Sequence, residues 1–262
     1  MIALARRGRR PLCIGHRGAA ALAPENTLPS FRAAVAAGVD LVEFDVLGLH
    51  SGELVVAHSD DLGEVSHGAA AGTVRDQSLA ALREVAPELP TLEDALGFFV
   101  DEAPGAGIHV DLKSPGSVDA LVAALRRFEL VERTLVSSFH RGALRRLAAL
   151  EPKLRAGVSF PEDRLGISHR RGSAPFIRAG LHVTRTVAPL LAGALLRSSR
   201  ASTLVLHHAL ASSRTVRYAH GRGVPVVAWT VDEVRDLIRL DEAGVDAVVV
   251  NNPGLFLSTL EP

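Results

Sequence analysis

One cysteine, Cys13, is all the thiol chemistry this 262-residue chain has, so neither an intrachain disulfide nor a cysteine-cluster metal site can be built from it. Neither sign of charge predominates: Lys plus Arg and Asp plus Glu both number 29. That removes the broad basic surface that nucleic acid or an anionic membrane calls for. No apolar run approaches the roughly 18 residues of a membrane span. In MIALARRGRRPLCIG, arginines interrupt the stretch that a secretory signal would need unbroken. The expectation is a cytoplasmic protein with no stable membrane insertion. The one concentrated basic run, RRGRR from Arg6 to Arg10, reads as a solvated terminal tail without a partner. No Pro/Ser-rich linker divides the chain, which points to one domain over residues 1–262.

What is present is alternation. Short β-branched runs recur: PLCIGH, DLVEFDV, GIHVDLK, TLVSSF, RAGVSF, TLVLHH, VPVVAWTV and DAVVVNN. Ala/Leu/Arg-rich segments with helical spacing separate them, clearest in PSFRAAVAAG, SVDALVAALRRF, RGALRRLAAL and VDEVRDLIRLDEAG. Such alternation builds a parallel sheet with helices outside. Eight units in 262 residues favour closure into an α/β (β/α)8 TIM barrel over an open sheet. Residues of about 47–90 break the repeat with an extra strand-like piece, GELVVAH, and the loop SHGAAAGTV. They read as a hairpin and insertion over one end of the barrel, with LEDALGFF returning to the repeat.

In a parallel barrel the functional face lies at the C-terminal ends of the strands. His16 and Arg17 end the first run, Glu43 and Asp45 the second, Asp111 and Lys113 the third, and His58 the inserted piece. Strand alternation points Glu43 and Asp45 the same way, and likewise Asp111 and Lys113. Two like charges about 4 Å apart repel by roughly 4 kcal/mol at an effective dielectric near 20. Ion pairs to barrel Arg or Lys can offset this, as can a divalent cation with Asp111 as a third oxygen ligand; two nearby histidines favour the cation. His16 and His58 titrate near neutral pH and suit one base and one acid in a displacement at phosphorus. Arg17 and Lys113 would hold the nonbridging oxygens, and the glycines of GHRG let His16 and Arg17 converge on a phosphate. Trp229 ends the seventh strand and belongs at the mouth. His109 fills a barrel layer, and one of His207 and His208 faces inward. His67, His140, His169, His182 and His220 lie near loops.

GHRG with PENT and Phe31, EFDV, VVAH with DDL, DLK, SSF and AWTV resemble, in that order and spacing, the glycerophosphodiester phosphodiesterase family. The resemblance covers about residues 12 to 253. It implies a TIM barrel with a small insertion, a Mg²⁺ or Ca²⁺ site, and hydrolysis of a small glycerophosphodiester to glycerol 3-phosphate and an alcohol. Position by position, it puts the catalytic histidines on His16 and His58, the phosphate arginine on Arg17, and the metal carboxylates on Glu43 and Asp45. Its third ligand, usually Glu in an ExK strand, falls on Asp111, one methylene shorter. The matching tryptophan, Trp229, packs against the glycerol or head-group side of the substrate. Ser59 stands where the family has Asp after the histidine. Asn251 and Asn252 stand where an Asp is common, and the expectation is that they touch no catalytic group. Two rivals remain, a lysophospholipase D-type phosphodiesterase and a catalytically silent barrel that binds phospho-ligands.

Overall fold

The computed structural model describes residues 1–6, 8, 10–161 and 174–260, with backbone alone over 174–185. His169 lies outside the described residues, as does the side chain of His182. In chain order the elements are β1 (Leu12–Gly15), α1 (Leu28–Ala36), β2 (Leu41–Gly48), β3 (Leu54–Val56), α2 (Leu62–Val65), α3 (Leu79–Val85), α4 (Leu92–Asp101), β4 (Gly107–Leu112), α5 (Val118–Arg127), β5 (Thr134–Ser138), α6 (Arg141–Leu150), β6 (Arg155–Phe160), α7 (Ala174–Ser199), β7 (Thr203–His207), α8 (Ser213–His220), β8 (Val226–Trp229), α9 (Val234–Ala243), β9 (Ala247–Val250) and α10 (Pro253–Leu260).

Eight of the strands are parallel neighbours in the order β1-β9-β8-β7-β6-β5-β4-β2, and β1 also pairs with β2, so the sheet closes on itself. This is the (β/α)8 barrel that the alternation predicts. Closure buries the strands on both faces, which is why their sequences are apolar almost throughout. On β2 the outward Val42, Phe44 and Val46 pack under the helices, and Phe44 stacks with Phe31 and Phe99 at centroid distances of 5.2 and 5.9 Å. The inward residues Leu12, Ile14, Leu41, Leu135, Val205, Val227, Ala247 and Val249 form a separate cluster inside the barrel. The same inward parity carries His16, Glu43, Asp45, Asp111 and Trp229 to the C-terminal ends of their strands.

The insertion follows β2. Strand β3 folds back antiparallel on β2, with Val46 opposite Val56 and Gly48 opposite Leu54. Leu47, Leu49, Val55, Ala57, Leu62, Val74 and Leu82 give it a small core of its own. Because β3 runs backward, His58, two residues past its end, returns towards the level of Asp45.

Two features depart from the sequence reading. Helix α7, absent from the segments recognised by periodicity, is 26 residues long and holds Pro189 within it, a residue that ordinarily ends or kinks a helix. The basic N-terminal run is not a solvated tail. Ile2 and Leu4 join the inner cluster at the N-terminal end of the barrel, and the Ile2 carbonyl accepts from Arg155 at 2.8 Å. Arg6 donates to the Val245 carbonyl at 2.8 Å and pairs with Asp241, and Arg10 pairs with Asp40 at 2.7 Å. Apolar residues upstream draw Arg6 and Arg10 against the barrel, where each finds a carboxylate. Cys13 is buried in β1. Among the described residues no helix is long and apolar enough to cross a membrane.

Candidate active site

The turn leaving β1 is dictated by close approach. A Cβ on Gly15 would lie 2.2 Å from the Gly18 carbonyl oxygen, and Gly18 has φ +87° with Ser30 packed against it. Arg17 between them also adopts a left-handed conformation, φ 48°, which costs a residue with a β-carbon on the order of 1 kcal/mol. Three hydrogen bonds hold it there. Its N–H donates to Glu43 Oε2 at 2.8 Å, and its carbonyl accepts from Asn26 N–H at 3.0 Å and Ser30 Oγ at 2.8 Å. The PENT segment thus serves the turn as well as the helix, since Thr27 and Ser30 form the capping box of α1.

Asp45 and Glu43 are only 2% and 5% exposed, yet their charges are treated differently. Lys113 Nζ lies 2.8 Å from Asp45 Oδ1, Arg17 Nε lies 3.2 Å from Oδ2, and Asn26 Nδ2 donates to Oδ2 at 2.9 Å. Burial alone would raise the Asp45 pKa, but Lys113 and then Arg17 hold it far below the usual carboxylate range. Glu43 is pushed well above that range by burial first, then by the negative charges of Asp45 and Asp111. The repulsion expected between the pair therefore falls on Glu43 alone.

That asymmetry has a measurable consequence. A carboxyl whose folded pKa lies above its ordinary value takes up a proton on folding at intermediate pH, so its contribution to stability is lost as pH rises. In EDTA, Glu43→Gln is expected to match wild type near pH 4 and to be the more stable of the two at pH 8. Denaturant titrations at the two pH values measure it; a variant less stable at pH 8 would contradict the charge distribution described here.

Burial shifts both histidines in the same direction. His16 has its pKa lowered by burial and by Arg17. His58 is lowered by burial too, with Asp45 opposing. Both rings feel the charges of Arg17, Asp45 and Glu25, so the two meet in one electrostatic site. Asn251, expected to touch no catalytic group, lies with Oδ1 2.6 Å from His16 Nδ1. The pairing of Gly15 with Val250 puts these next residues side by side, a neighbour relation that no local motif reveals.

Below them, Asp111 is fully engaged. Its Oδ1 accepts from Ser137 Oγ at 2.7 Å and its Oδ2 from Lys113 at 2.5 Å, while His109 Nε2 lies 2.9 Å from Ser137 Oγ. His109 is 2% exposed and its pKa is lowered to about 4 by burial, so it is the neutral barrel-layer histidine that its parity suggests. Trp229 is half-buried at the mouth, its indole N–H donating to the Val205 carbonyl at 3.3 Å. Its ring meets His207 at 5.5 Å and Phe139 at 6.0 Å, edge to face. Of the His207–His208 pair it is His207 that shares the inward face with Trp229, its pKa lowered to about 4 by burial and by His208. His208 turns to Asp236 at 3.5 Å. Sequence reasoning gave no role to Phe139, although the SSF motif contains it.

As the side chains stand, no three His, Cys, Asp or Glu groups among the described residues close around one point, and Lys113 occupies the space between Asp45 and Asp111. The donor set nevertheless fits a hard divalent cation. It consists of carboxylates on the adjoining strands β2 and β4, with Asp45 opposite Asp111. Burial first, and then the charges of Asp45 and Asp111, raise the Glu43 pKa. Beside His58 a groove of about 560 Å³ runs between the insertion and the PENT segment, walled by Val56, Val65, Val85 and Leu89.

Comparison with known proteins places this geometry. The glycerophosphoryl diester phosphodiesterase family matches residues 16–255. The chain is similar to the glycerophosphodiester phosphodiesterase of Caldanaerobacter subterraneus subsp. tengcongensis, 25% identical over 95% of this chain and 97% of the relative. It is also similar to the probable glycerophosphodiester phosphodiesterase 1 of Mycobacterium tuberculosis, 31% identical over 96% and 93%. Among solved structures, an Oleispira antarctica phosphodiesterase in complex with the product sn-glycerol-3-phosphate superposes with a TM-score of 0.75 at 24% identity, covering 96% of this chain and 97% of that one.

Proposed function

Because the chain belongs to the glycerophosphoryl diester phosphodiesterase family, we propose that it hydrolyses glycerophosphodiesters to glycerol 3-phosphate and an alcohol, with His16 and His58 exchanging the protons. The observation that carries this reading is their common site: two imidazoles sense the same Arg17, Asp45 and Glu25 at the C-terminal end of the barrel. A phosphodiester displacement needs one group to take a proton from the attacker and another to give one to the departing alcohol. Arg17 and Lys113 supply positive charge for the phosphoryl oxygens. Trp229 and Phe139 offer an apolar wall at the mouth for the glycerol or head group. Glu43, Asp45 and Asp111 would hold a Mg²⁺ or Ca²⁺ ion, which supplies Lewis-acid charge to the phosphoryl group when bound. Asp45 also keeps Lys113 and Arg17 in place beneath the substrate.

The apolar wall of the groove beside His58 favours, as a second reading, an acyl-bearing alcohol, the lysophospholipase D-type reaction. One experiment separates the readings: purified protein is assayed on glycerophosphocholine and on lysophosphatidylcholine, in EDTA and after Mg²⁺ or Ca²⁺ is restored. Choline release from the first, dependent on added metal, is the expected result. Release from the second alone transfers the assignment to the acyl-bearing substrate. Turnover of neither with any metal leaves only a phospho-ligand-binding barrel.

A further inference from the structure

Asn251 Nδ2 donates to Asp232 Oδ1 at 2.9 Å while its Oδ1 lies 2.6 Å from His16 Nδ1. A carboxylate only accepts, so Asp232 selects the NH₂ end of the amide and leaves the oxygen for the imidazole. An amide oxygen also only accepts. His16 Nδ1 must therefore carry the hydrogen, and the lone pair of the neutral ring is left on Nε2. We infer that Asn251, oriented by Asp232, is a positioning residue that fixes the tautomer of His16 and makes His16 the general base of the reaction. The inference rests on the phosphodiesterase reading above and adds to it a division of labour between the two histidines.

In the step so assigned, the attacking oxygen bonds to phosphorus as its O–H proton passes to His16 Nε2. The bond from phosphorus to the leaving alcohol's oxygen breaks, and that oxygen takes its proton from His58 in its imidazolium form, the form that the Asp45 charge favours. A base must start unprotonated, and the partner chosen for His16 serves that need. An amide carries no charge, so it orients the ring while favouring the imidazolium less than a carboxylate would. The charged and titratable groups facing His16 are Arg17 in the turn that leaves β1, Asp45 on β2, His109 on β4 and Glu25 in the loop before α1. Burial and Arg17 keep the ring neutral against the two carboxylates. Chain closure makes the contact possible, since His16 and Asn251 follow the paired ends of β1 and β9.

The test combines a spectroscopic readout with a pH profile. Histidine ¹⁵N spectra of the wild-type protein at pH 8, with His16→Gln identifying the resonance, are expected to show His16 protonated on Nδ1. Asn251→Ala should lose that preference and lower kcat at least tenfold, within the range of a compromised acid–base group. Asp232→Ala should act in the same direction, while Asp232→Asn keeps an acceptor for the amide and retains most of the activity. In Asn251→Asp a carboxylate favours the imidazolium, so the acidic limb of the kcat/KM profile should move up by about one pH unit or more. A wild-type His16 protonated on Nε2 would overturn the proposal, as would an Asn251→Asp profile in which the alkaline limb moves or neither does. Absence of any phosphodiesterase activity would instead defeat the functional reading, and the tautomer measurement would still decide the positioning of His16.

Discussion

His16→Gln and His58→Gln are each expected to lower turnover of glycerophosphocholine by about 10²-fold or more, the scale of a lost general acid or base. Glutamine keeps most of the volume and a hydrogen-bonding end but cannot exchange a proton near neutral pH, so the loss reports on chemistry rather than packing. The two sites carry different risks. His16 is tied to Asn251, and its replacement also leaves that amide without its partner. His58 lies past the end of β3 with part of its surface open to solvent, so His58→Gln should leave the thermal midpoint almost unchanged. Metal affinity should change little in either, because neither ring belongs to the proposed ligand set. If the residues act as a unit, the double variant should lose far less than the product of the single losses. Near wild-type turnover in either single variant would remove that histidine from the mechanism.

Asp45→Ala is expected to cost both activity and stability, in contrast to Glu43→Gln. The side chain is buried and answers two cations, Lys113 and Arg17, and the amide of Asn26 at once. Removing one partner of a buried ion pair leaves uncompensated charge behind, at a cost of about 3 kcal/mol when the survivors keep other contacts. Here they do, since Lys113 retains Asp111 and Arg17 retains Glu25. Denaturant unfolding in EDTA measures the loss, and calorimetry with Mg²⁺ and Ca²⁺ is expected to show binding abolished. A variant as stable as wild type in EDTA would mean that Asp45 bears repulsion like Glu43, the symmetrical picture that the sequence alone suggests.

That contrast shows where the sequence was legible. Glu43 and Asp45 are two letters apart in an apolar strand, and their shared direction follows from strand geometry without a structure. Which of them is neutralised depends on Lys113 and Arg17, which arrive from other strands. The RRGRR run misled because charge clustered near a terminus is usually solvated, whereas the apolar Ile2 and Leu4 upstream of it draw the run against the barrel. Helix α7 escaped recognition because Pro189 argues against a helix wherever local rules are applied. Trp229 was correctly read as standing at the mouth, but its neighbours there, His207 and Phe139, come from strands whose angular positions only the closed sheet sets.

By itself the sequence determined the alternation of strands and helices, the barrel, the insertion after the second strand, and the set of polar residues at the strand ends. Each of these follows from periods of two or 3.6 residues, or from short motifs, and so depends on neighbours in the chain. The tertiary structure alone decided which polar groups touch. Asn251 stands 235 positions from His16 and meets it because the first and last strands pair to close the barrel. The charge states of Asp45 and Glu43 depend on distances across strands and on burial, since electrostatic energy is set by separation in space and by the surrounding dielectric, neither of which is encoded in residue spacing.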